Sequence, residues 1–80
     1  MDNSQSIAKM ERVIAKIEQS LTVFHRDVAT FQARLDEGRD NARYERLLNQ
    51  SKATVARTEA FLATQQEYLA SLKAEDAGDR

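Results

Sequence analysis

The feature that most constrains this chain is a spacing. Large apolar residues recur as Ile7, Met10, Ile14, Ile17, Leu21, Phe24, Val28, Phe31 and Leu35, in steps that alternate three and four without a slip. That rhythm is the seam of a helix packed along its length against another helix. It stops at LDEGRDNARY and resumes as Tyr44, Leu48, Ser51, Val55, Thr58, Leu62, Gln65, Leu69 and Leu72. No proline interrupts either run. Each would make a helix of about 30 residues, roughly 45 Å long at 1.5 Å per residue.

Folded back on each other, the two runs match. Leu35 then meets Tyr44, Phe31 meets Leu48, Val28 meets Ser51, and Phe24 meets Val55. Further out, Leu21 meets Thr58, Ile17 meets Leu62, Ile14 meets Gln65, Met10 meets Leu69, and Ile7 meets Leu72. All nine layers share one mirror point, between Arg39 and Asp40. The spacing predicts an all-α fold, an antiparallel two-helix hairpin of coiled-coil character, able to pair into a four-helix bundle. The single domain over 1–80 divides into a helix over 4–36, a turn over 37–41 and a helix over 42–73. A flexible tail is expected over 74–80, because KAEDAGDR, from Lys73, has lost the apolar rhythm. Gly38 suits the left-handed residue that ends the first helix. Asp40 or Asn41 can cap the second helix, and Asn3 or Ser4 the first.

A chain of 80 residues holds one small core. With no cysteine, neither a disulfide nor a thiolate metal site staples it, so stability falls to helix packing or a partner. A formal net charge of −1 gives no strong field toward nucleic acid or membrane. The basic groups Lys9, Arg12, Lys16 and Arg39, Arg43, Arg46 read as solvated faces. Glu11, Asp27 and Glu45 break any continuous basic stripe of the kind RNA binding needs. Apolar runs are too short for a signal peptide or a membrane span, and a cytoplasmic location is expected. The sequence shows no glycine-rich phosphate loop, no histidine pair at metal spacing and no cysteine nucleophile. Two helices in one layer do not enclose a pocket, so the expectation is a protein that is not an enzyme and uses no cofactor or metal.

The flanks of the seam differ. One edge carries Glu11, Glu18, His25 and Gln32 against Lys52, Glu59, Gln66 and Lys73, and is plainly wet. The other carries Ser6, Val13, Ser20, Asp27 and Arg34 against Leu47, Thr54, Phe61 and Tyr68, with Val13 expected near Tyr68 and Ser20 near Phe61. Rigid rings beside small residues suit a docking groove, since they bury much area at low entropic cost. Val13, Ser20, Leu47, Thr54, Phe61 and Tyr68 are therefore the candidate partner-binding residues. A second explanation stands beside this one, in which Phe61 and Tyr68 fold over the seam as core. The polar seam residues Ser51, Thr58 and Gln65 likewise have two explanations: close backbone approach with Gln65 fixing register, or a strip shared between two neighbouring helices.

The second half, GRDNARYERLLNQSKATVARTEAFLATQQEYLASLK, resembles the small E-type, YscE-like co-chaperones of bacterial type III secretion systems. The matching features are Gly38, Asp40, Ala42, Tyr44, the run Ser51-Lys52-Ala53, and the end at Leu72-Lys73. The first helix is similar in length and pattern alone, and Leu48 and Thr54 depart from the aromatic residue and the leucine of the family. The resemblance implies a helical hairpin that binds a larger helical-repeat chaperone. Through it, the pair keeps a needle subunit soluble and monomeric in the cytoplasm. Two rivals use the same architecture, a homodimeric four-helix-bundle adaptor or small regulator and a secreted hairpin such as a needle subunit. Needle-type hairpins often carry a proline in the turn, and this chain has none.

Overall fold

The computed structural model describes residues 2–78. They form two helices, α1 (Ser4–Asp36) and α2 (Asn41–Gly78), packed antiparallel in a rod of 61 × 15 × 13 Å. The all-α hairpin expected from the seam is the observed fold. Every seam residue from Ile7 to Leu72 is buried or half-buried, with Ile14, Leu21, Leu48 and Leu72 the deepest. Among the described residues no side chain is wholly enclosed, because two helices leave each seam residue open to one side.

The turn closes α1 with two reverse hydrogen bonds. The Gly38 N–H donates to the Leu35 carbonyl at 2.9 Å, and the Arg39 N–H donates to the Arg34 carbonyl at 3.2 Å. This is the Schellman arrangement, which needs the first of the two donors in the left-handed conformation. Gly38 supplies it at φ 75°. An added Cβ there would meet no atom within 4 Å, so the backbone angle alone selects glycine. A hydrophobic contact often accompanies this motif. Here a charged one replaces it, with Glu37 between Arg39 at 3.0 Å and Arg34 at 3.6 Å. Beside the turn the Phe31 and Tyr44 rings sit tilted at 6.2 Å between centroids.

The caps differ from expectation. Asp40 has φ 33° rather than the extended angle of a capping residue, and its carboxylate makes no cap bond among the described residues. Its backbone carbonyl instead accepts the Tyr44 N–H at 3.1 Å and opens α2. At the other end Asn3 holds the cap position of α1 without a side-chain cap bond. The Asp2 carboxylate caps in its place, accepting the Ser4 N–H at 2.9 Å. Hydrogen bonds from the Ser4 backbone, then from its hydroxyl, hold the Asp2 carboxyl below the usual carboxylate range.

Asn3 is occupied elsewhere. Its N–H donates to the Asp76 carboxylate at 3.0 Å, and its side-chain amide donates to the Leu72 carbonyl at 3.3 Å. Asn3 and Asp76 stand on the same mirror point as the apolar layers, so they add a polar tenth layer. This corrects the boundary of the tail. Residues 74–78 continue α2 instead of fraying, held by Asp76 and by alanines of high helix propensity at Ala74 and Ala77. Positions 79–80 of the expected tail lie outside the described residues.

Candidate protein-docking surface

The wet edge of the rod is identified by side-chain contacts between its two helices. Lys73 lies 3.9 Å from Glu11, and Glu59 lies 3.7 Å from His25. Both pairs join residues of the edge expected to be wet, in one register two heptads apart on each helix. All eight of its candidate polar residues are exposed. The opposite edge therefore carries the candidate docking residues.

On that edge the structure separates the six candidates. Val13, Leu47 and Thr54 are half-buried against the seam, whereas Ser20, Phe61 and Tyr68 are exposed. Phe61 and Tyr68 each leave 52% of their surface in water. The rings do not close over the seam, and the described residues leave about half of each uncovered. Asp27 and Arg34, on the same edge of α1, are half-buried.

A third large apolar residue was not singled out by the spacing. Val23 is 49% exposed and lies one step outward from the edge on α1, between Lys16 and Thr30 at heptad distance. An isolated valine in a polar stripe gives no periodic signal, so exposure alone reveals it. Val23, Phe61 and Tyr68 are the three large apolar side chains left exposed among the described residues, and all face the same side.

Three hydroxyls of α2 on this side are already satisfied. Thr54 donates to the Gln50 carbonyl at 3.0 Å, Thr64 to Ala60 at 3.1 Å, and Ser71 to Glu67 at 3.1 Å. Such back-bonding ties each donor to its own helix. The face is less polar than its residue types suggest. In the seam, Thr58 does the same, donating to the Thr54 carbonyl at 2.7 Å. Gln65 is half-buried but makes no hydrogen bond across to α1 among the described residues, so register is tied instead by the Asn3–Asp76 layer and the wet-edge pairs.

Among the described residues there is no cavity, and no group of three or more His, Cys, Asp or Glu is placed to hold a metal ion. Among the described residues no helix is long and apolar enough to cross a membrane. Comparison with protein-family models, curated proteins and solved structures gives no match.

Proposed function

We propose that this chain is a non-enzymatic, cytoplasmic protein-binding hairpin that works as a co-chaperone. In the form that the YscE-like resemblance implies, it steadies a larger helical-repeat chaperone and so helps keep a type III secretion needle subunit soluble and monomeric. One observation supports this above the rest: Phe61 and Tyr68 stand half out of the rod on a single edge, left half uncovered by the described residues. Exposed aromatic anchors flanked by back-bonded hydroxyls are suited to fill pockets between the helices of a partner. The resemblance supplies the partner's class, and the exposed edge supplies the contact.

The test is co-expression with a helical-repeat chaperone and needle subunit of a type III secretion system, followed by gel filtration. The expected result is a three-component complex with the needle subunit held monomeric. Replacing both rings, Phe61→Ser with Tyr68→Ser, should abolish the complex while circular dichroism of the hairpin stays the same. Helicity lost in step with binding would place the rings in the core and sink the reading.

A further inference from the structure

We propose that, in the absence of another partner, the apolar edge is closed by a second copy of this chain. Two hairpins would lie side by side, the turn of one beside the open end of the other, about a two-fold axis crossing their middle. This rests on the reading of that edge as a docking surface and names an occupant for it.

Surface area is the first reason. The chain exposes 5846 Å², whereas a compact monomer of 9.1 kDa would expose about 4,900 Å². The excess, roughly 950 Å², is close to the ~800 Å² that each partner buries in a standard stable interface. One long side of a rod 61 Å by 15 Å offers about that footprint, and only if its whole length is used. A short peptide or an end-on contact would leave most of it open. A second rod of the same length covers it.

Self-complementarity is the second. The stripe Leu47, Thr54, Phe61, Tyr68 has its midpoint between Arg57 and Thr58, and the mirror relation of the hairpin puts Leu21 and Thr22 at that level on α1. A two-fold axis through this level sets Tyr68 against the copy's Leu47 and Phe61 against its Thr54. On α1 it sets Ser20 against Val23, so each exposed apolar side chain meets a small or apolar one. An isologous interface requires such pairing in both directions, and the stripe meets it without a gap.

Charge is the third. The same axis brings Lys16 of each copy beside Asp27 of the other. Asp27 is half-buried and has no ion pair among the described residues, and Lys16 is exposed. The two symmetry-related pairs bring four charges together across the interface. One contact opposes the rest: Arg57 falls at the axis and approaches its own copy.

The chain has no cysteine, which makes the geometry directly testable. Lys16→Cys and Asp27→Cys proteins should each fail to cross-link alone. Like positions would be about 16 Å apart along the length of the rod, well beyond the ~7 Å Cα reach of a disulfide. Mixed and mildly oxidised with glutathione, they should give a covalent heterodimer. Sedimentation equilibrium of the unmodified full chain should show about twice the 9.1 kDa chain mass, falling toward one chain on dilution. Phe61→Ser with Tyr68→Ser should remove the dimer, and Arg57→Ala should tighten it.

A monomer at every concentration overturns the proposal. So does cross-linking of either cysteine protein by itself as readily as the mixture, or a dimer that survives loss of both rings. The co-chaperone reading fails separately: a dimer that ignores the chaperone and needle subunit defeats that reading alone. A monomer that still binds them defeats only the self-pairing.

Discussion

The two long edges of this hairpin are built on the same backbone and the same heptad spacing, yet one is finished and the other is not. Along the wet edge, Glu11 with Lys73 and His25 with Glu59 meet across the helices, all in water. Along the apolar edge, Val13, Leu47 and Thr54 lean on the seam while Phe61 and Tyr68 project beyond it. The difference teaches that a two-helix fold can distribute its unmet burial. Neither edge is fully covered by the described residues, so whichever carries the large apolar residues is left with apolar surface in water.

The largest effect comes from destroying the frame on which both edges hang. Leu21 is 8% exposed, and a carboxylate there has no described partner. Leu21→Asp should abolish cooperative melting, since an unpaired buried charge costs several kcal/mol against a stability that is marginal for a domain of this size. A parent-like melt would show that the seam is not what holds the edges apart.

Next in size is to erase the asymmetry. Glu18→Leu with Gln66→Leu would give the wet edge its own apolar stripe, and a rod with two such edges has no way to close after one pairing. Sedimentation should then report open-ended association beyond that of the parent. An unchanged mass would mean that apolar content does not decide which edge docks.

A smaller effect sharpens the comparison from the polar side. Both members of the His25–Glu59 pair are more than half exposed, so Glu59→Gln should lower stability by about 0.5 kcal/mol or less. A shift in melting temperature beyond a few degrees would make the wet edge a structural element in its own right.

The smallest effect lies at the first turn. The Asp2 carboxyl is held below its ordinary pKa by the Ser4 N–H and hydroxyl, so its contribution is present above the unfolded value and lost as pH falls through the folded one. Acid melts of the parent should therefore lose slightly more stability than those of Asp2→Asn. Because the group lies fully in solvent, a large gap between the two would contradict the cap.

The parts of this fold that are legible in the sequence are those that repeat. The seam residues declare themselves through period, the glycine at position 38 through the break, and the two edges through residue type at heptad distance. What stayed illegible is singular. Asn3 and Asp76 form a layer of the hairpin, but polar residues outside the apolar rhythm carry no periodic signal, so the rhythm ends α2 at Lys73 whereas the helix runs to Gly78. Val23 is a lone apolar residue among charges, and only its exposure singles it out. Cap assignments failed for a related reason. Asp2, Asn3 and Ser4 are all capable caps, and the choice was made by a contact on the far helix, where Asn3 is engaged.

The Asn3–Asp76 layer joins the start of α1 to the last turns of α2 at one end of the rod, with the turn at the other. Force applied through these two helix ends would meet the layers singly and in order, as the teeth of a zipper, and never all together in shear. The polar pair would part first, then Ile7 from Leu72, and the separation would run toward Gly38. A hairpin gripped in this way yields at far lower load than a rod of the same length pulled along its axis.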